Sequence, residues 1–339
     1  MTGDRVKQTE EPISRRTFLG RIGVVGGMMA GATAGAVALW QRDHYVPGLS
    51  AGRLGEASFV TIPDYTVDTA GRPVLTIARG RERATTIRAA IDALGGIERF
   101  VKKGETVLLK PNVAFDRPPS LCATTHPEAV RAVAQLVREA GAGRILVADN
   151  PINSPAGCFL KSGIQAVADQ MGLECVYPTS GSFETFSMDG RVLTRWPLFH
   201  EPLEQADKVI GLAPAKDHNL SRASLTMKNW YGLLGGRRSQ FHQDIHRVIA
   251  DFARMIRPTF VVLDGIEVLK SNGPTGGRLS DVKTMNTVIA GTDMVAVDTA
   301  GYELMLERDP AELDYVHRAA ERGLGRTDWR ELNYKEVQG

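Results

Sequence analysis

The chain is short of cysteine: Cys122, Cys158 and Cys175 are its only three, far apart and without a CxxC pair. Three thiols cannot supply a four-thiolate cluster, so an iron–sulfur cluster is not expected. In an oxidising compartment one disulfide at most forms, and one thiol is left over. Nucleotide cradles are missing too, since no GxxxxGK[ST] and no strand-linked GxGxxG occurs. Gln243 stands between His242 and His246 where a zincin needs its glutamate, which removes metalloprotease chemistry. No nucleophile elbow and no paired-carboxylate motif is present. No basic run with interleaved aromatics appears and the net charge is only +2, so no nucleic-acid partner is expected.

What is present begins at the N-terminus. Ser14-Arg15-Arg16-Thr17-Phe18-Leu19-Gly20 sets paired arginines ahead of an uncharged stretch from Ile22 to Trp40. That stretch is long enough for a hydrocarbon core, which needs about 20 apolar residues, but Gly and Ala dominate it. A weakly apolar segment behind paired arginines is the pattern of a twin-arginine export signal. Residues 1–40 are therefore expected to contact the export machinery and the membrane, and 41–56 to form a linker. Residues 57–339 are expected to form an α/β domain, built as one large unit or as two fused lobes. The expected address is periplasmic or otherwise extracytoplasmic, released or tethered through residues 22–40.

Short apolar runs then alternate with helical patterns. Strands are predicted at 106–110, 144–148, 174–177, 206–212, 259–263 and 286–291, with helices at 126–140, 164–171 and 243–256. This alternation predicts a mainly parallel, Rossmann-like sheet with helices on both faces. In such sheets ligands bind beyond the carboxyl ends of the strands. Five predicted strand ends carry polar residues: Lys110 and Asn112, Asp149 and Asn150, Lys216 to Asn219, Asp264 to Glu267, and Thr292 and Asp293. A shared polar cleft follows from that recurrence.

Cations, glycines and aromatics mix from Thr226 to Gly232 and again at Gly235-Gly236-Arg237-Arg238, a composition suited to a carboxylate, phosphate or sulfate. Lys110, Asn112, Lys216, Lys228, Asn229 and Arg237 are the expected substrate-binding residues. His218 and His242 are the expected proton-transfer residues, since imidazole titrates nearest neutral pH. Asp264 is expected to orient one of them. A four-residue helical spacing would put His242 and His246 on one face, and with His218 and Asp293 they form an expected divalent-metal set. His126 is expected to cap a helix or to line the cleft edge.

The motifs Lys110-Pro111-Asn112, Lys216-x-His218, Met227-Lys228-Asn229-x-x-Gly232 and His242 together resemble the domain of unknown function 362 family. Asp264-Gly265-Ile266, Gly273-Pro274-x-Gly276 and Ala290-Gly291-x-Asp293-x-Val295-Ala296-Val297-Asp298 continue the resemblance in the same order, over residues 105 to 325. Many members look like iron–sulfur proteins through an added ferredoxin-like segment, which this chain lacks, so cluster chemistry does not carry over. The expected function is that of an enzyme acting on a small anionic substrate at the strand ends. The alternative is a non-catalytic anion- or metal-binding accessory protein that escorts a redox partner.

Overall fold

Alternate residues of each central strand face opposite ways, and this period of two divides the core into two layers. In the computed structural model, which describes residues 59–339, the strands are β1 (Leu75–Arg79), β2 (Thr106–Pro111), β3 (Arg144–Ala148) and β4 (Glu174–Val176). They continue as β5 (Phe183–Ser187), β6 (Arg195–Phe199), β7 (Lys208–His218), β8 (Arg222–Ser224), β9 (Phe260–Leu269), β10 (Val282–Gly291) and β11 (Tyr334–Gln338). The main sheet runs β11-β1-β10-β9-β7-β2-β3-β4, with β8 folded back on β7. The expected export segment at 1–40 and the expected linker at 41–56 both lie outside the described residues.

Val107, Leu109, Val147 and Val262 pack on one face beneath the helices Arg83–Leu94, Pro127–Glu139 and Ile164–Met171. Leu108, Leu146 and Leu263 pack on the other, against the helices Ile245–Met255, Met294–Leu304 and Asp314–Ala320. Helices therefore cover both faces, as the alternation predicts. The strands covered on both sides read as continuous apolar runs for that reason. Local signals set the helix ends. Pro127 opens its helix behind His126, whose Nδ1 accepts the Glu128 N–H, so the expected cap is present. Left-handed glycines, Gly163 and Gly172, bound the helix Ile164–Met171.

Two expectations are corrected. The described residues form one compact unit around the nine-stranded sheet, with the β5–β6 hairpin as a second small sheet, so there are not two lobes. And β10 runs antiparallel to both β1 and β9. Its carboxyl end, with Gly291 opposite Val261, therefore lies at the amino ends of the parallel strands, and Thr292 and Asp293 leave the expected cleft. A sequence shows that a strand exists more readily than which way it runs.

Candidate functional site

At the carboxyl end of β2 the backbone carries Lys110 into the core at 1% exposure. Its Nζ donates to Asp149 Oδ1 at 2.6 Å, Asn229 Oδ1 at 3.1 Å and the Pro111 carbonyl at 2.8 Å. An ammonium has three donors, and all three are used here. The other oxygen of Asp149 accepts the Val113 N–H at 2.6 Å, and Asn229 Nδ2 donates to the carbonyls of Lys110 and Leu212. Lys110 and Asn229 thus form a lock between β2, β3 and the helix Thr226–Asn229, and offer nothing to a ligand. Gly232 is part of it: a Cβ there would overlap Asp149 Oδ1 and lie 2.8 Å from Lys110 Nζ. Asn112 also serves the chain. Its Oδ1 accepts from Ala114 N, while its own N–H donates to Thr125 Oγ1.

Lys216 and Lys228 are different. Lys216 is 1% exposed, and its Nζ donates to the Ala123 carbonyl at 2.5 Å and lies 5.1 Å from the Phe115 ring centre. Lys228 is half-buried, with Nζ 5.2 Å from the Tyr231 ring centre. Among the described residues neither lysine has a carboxylate partner, and Lys228 makes no side-chain hydrogen bond. Burial, and then the charge of Lys228, pushes Lys216 down to about 7. Burial, and then the charge of Arg238, pushes Lys228 down to about 7 as well. The placement of Lys228 rests on Asp298, a fully buried carboxylate. It accepts Thr226 N at 2.8 Å, Thr226 Oγ1 at 2.5 Å, Met227 N at 3.1 Å and the Tyr315 hydroxyl at 3.1 Å, capping the short helix that carries Lys228.

The histidines take separate roles. His218 is buried at the end of β7, where its Nδ1 accepts the N–H groups of Leu220 and Ser221 at 3.2 and 3.4 Å. Two donors on Nδ1 assign the ring proton to Nε2. Burial, helped by Lys228, Lys216 and His242, pushes His218 down to about 2. It is a fixed neutral donor, and the expectation that it titrates near pH 7 is overturned. The same tautomer leaves Nε2 without a lone pair for a metal. His242 is the converse case: its Nδ1 faces the Ser239 carbonyl at 2.8 Å, which assigns the proton there and leaves the Nε2 lone pair open.

His242 lies in a 3-10 helix, Arg238–Asp244, and His246 in the α-helix that starts at Ile245. Asp244, at φ −137°, breaks the run between them, so the four-residue spacing does not make one helical face. His246 stacks against Tyr315 instead. Asp293 caps the helix Met294–Leu304 through Val295 N and Ala296 N, and accepts Arg326 N, at the far end of the sheet. Among the described residues no three His, Cys, Asp or Glu side chains converge as a metal site. The expected set of His218, His242, His246 and Asp293 does not assemble.

Asp264 orients no histidine. It takes Arg83 Nε at 2.8 Å in an ion pair with side chains 11% and 4% exposed, and Glu267 takes the same guanidinium at 3.4 Å. Arg237 is exposed, while its neighbour Arg238 turns inward and donates to the carbonyls of Tyr231, Leu234, Asn150 and Pro151. Sequence reasoning chose the wrong member of that arginine pair, because an irregular loop has no period to separate them. It named Asp298 only as the end of a family motif and gave it no role, because it reads as one more position of an apolar helix. The buried, unpartnered hydroxyl of Thr124 beside Ala123 carries no sequence signal at all.

All three cysteines are free. Burial pushes Cys122 up to about 12 and Cys175 up to about 11. A cleft of about 770 Å³ lies at the opposite end of the sheet beside Arg254, Arg257 and Asp293. Its charged groups are already matched, Arg254 with Asp189 and Arg257 with Asp64. Unmatched buried charge, the better mark of a ligand site, is found at the strand ends.

Residues 107–303 match the family model described as Domain of unknown function (DUF362). A thylakoid-associated protein of Synechocystis sp. (strain ATCC 27184 / PCC 6803 / Kazusa) is 31% identical over 249 residues, covering 71% of this chain and 74% of that protein. Among solved structures, the lactate racemase apoprotein from Thermoanaerobacterium thermosaccharolyticum is similar at a TM-score of 0.43 and 14% identity, over 70% of this chain and 58% of that one.

Proposed function

The chain belongs to the DUF362 family of domains of unknown function, and from that premise we propose that it binds a small anion at the carboxyl ends of β2 and β7 and acts on it. One observation carries the reading: Lys216 is buried, Lys228 is half-buried and close enough for its charge to act on Lys216, and among the described residues neither has a carboxylate partner. Buried charge without a partner is costly, and a bound carboxylate, phosphate or sulfate offsets that cost for both lysines at once. The His218 Nε2–H is a third, uncharged donor of fixed orientation. His242, with its open Nε2, is the group that takes or gives a proton. The orphaned Thr124 hydroxyl supports the same reading, since it lies beside the carbonyl that holds Lys216.

Sulfate, phosphate and small carboxylates are expected to raise the melting temperature of the wild type. The Lys216→Met/Lys228→Met double variant is expected to lose that response; an undiminished response would sink the site. A purely binding, non-catalytic role is favoured by the locked His218, which leaves His242 as the only one of the two with an open ring nitrogen. His242→Ala separates the two roles, because a binding protein keeps all of its function in that variant.

We also place the site outside the cytoplasm. Arg15 and Arg16 ahead of the apolar stretch support that address, and a thylakoid-associated relative agrees with a membrane setting. Export of the full chain is expected to stop in Arg15→Lys/Arg16→Lys, as read by fractionation. Undiminished export of that variant would contradict the twin-arginine reading.

A further inference from the structure

Single exposed aliphatic side chains are ordinary on a soluble protein. Their distribution here is not. Ile152 (65% exposed), Leu160 (71%), Leu220 (51%) and Leu279 (67%) all stand on connections that leave the carboxyl ends of parallel strands. Ile152 and Leu160 follow β3, Leu220 is in the turn between β7 and β8, and Leu279 is between β9 and β10. Phe59 is the one other strongly exposed large apolar residue among those described, and Arg195 covers its ring at 4.8 Å. Cations accompany the aliphatics: Lys161 follows Leu160, Arg278 precedes Leu279, Arg222 is two residues past Leu220, and Arg237 is on the neighbouring loop. All four cations are exposed, and none forms an ion pair among the described residues.

We propose that this rim is a docking surface for an anionic lipid bilayer, with Ile152, Leu160, Leu220 and Leu279 dipping into the headgroup boundary and Lys161, Arg222, Arg237 and Arg278 meeting lipid phosphates. Scattered aliphatic tips beside unpaired cations suit a fluid, negatively charged surface. A protein partner would select clustered aromatic anchors, and the rim's exposed apolar residues are all Ile or Leu. The inference stands apart from the anion site, although Lys216 and His218 lie at this same end of the sheet, at the carboxyl end of β7.

The test uses the full chain carrying Cys175→Ser, with a spin label at Leu160→Cys or Leu279→Cys and a control label at Asp189→Cys. Cys122 and Cys158 are buried, and Asp189 lies by the cleft at the opposite end of the sheet. On vesicles of phosphatidylglycerol and phosphatidylcholine, the two rim labels are expected to gain contact with dissolved oxygen and lose contact with a water-soluble relaxer. The Asp189 label is expected to stay in water, and the rim effect to weaken in high salt. Rim labels as wet as the control on bound protein would overturn the proposal. So would equal insertion into phosphatidylcholine alone, or dipolar coupling between rim labels without vesicles, which would make the rim a contact between copies.

Discussion

Asp149→Ala is expected to lower the stability of the fold by roughly 3–5 kcal/mol, the usual cost of removing one member of a buried ion pair. The pair is fully enclosed, with side chains 1% and 2% exposed and 2.6 Å between Lys110 Nζ and Asp149 Oδ1. The variant leaves the Lys110 ammonium buried without its counter-charge and the Val113 N–H without its acceptor. Burial already holds Lys110 below the usual lysine range, and Asp149 is the main influence opposing that. Equilibrium denaturation reads the loss. Adding Lys110→Met to Asp149→Ala is expected to recover part of it, because the stranded charge goes too. A double variant no more stable than the single one would contradict the lock. The account also separates this pair from the two lysines beside it, which have the same chemistry and opposite consequences.

Lys228→Met is expected to make the anion-free protein more stable, by roughly 1–3 kcal/mol near neutral pH, after allowance for partial solvent screening. Lys228 has a folded value of about 7 against an ordinary 10.5. Between those limits the unfolded chain holds a proton that the folded chain has released, so wild-type stability rises with pH through that window. The variant lacks this contribution, and its advantage shrinks as pH approaches 10.5, where the unfolded lysine is neutral as well. Thermal unfolding across that range checks both the sign and the trend. Parallel curves for wild type and variant would show that Lys228 is not strained by burial. Saturating sulfate is expected to reverse the order, because only the wild type gains the ligand. A residue that lowers stability and is kept for binding is a familiar exchange between stability and function.

Much of the fold was legible because burial on both faces writes a strong signal. Residues 144–148 and 164–171 read directly as strand and helix, since Gly141, Gly163 and Gly172 bound apolar runs of the right period. The strands β7 and β9 run further than expected, to His218 and Leu269, because polar residues such as Lys216 and Asp264 are carried inside them. The hairpin of β5 and β6 was missed, as its residues are mostly half-exposed and weakly patterned. At the site, the strand-end rule brought Lys110, Lys216 and His218 to one end of the sheet, and the glycine- and cation-rich segment added Lys228. It could not tell a locked lysine from an unpaired one. That difference depends on Asp149, which comes from another strand, and on hydrogen bonds that no spacing encodes. The metal set failed for a similar reason: a four-residue spacing implies one helical face only if the helix is continuous, and at Asp244 it is not.

Sulfate binding measured by calorimetry as a function of pH tests the central claim most directly, because sulfate itself does not titrate in the range. Lys216 and Lys228 both lie at about 7 in the empty site, and a bound dianion draws protons back onto them. Affinity is therefore expected to fall above pH 7 by about tenfold per pH unit for each lysine that must be recharged, with proton uptake visible as a dependence of the heat on buffer. An affinity that stays flat from about pH 6 to about pH 9, or that survives in Lys216→Met/Lys228→Met, would contradict the lysine site.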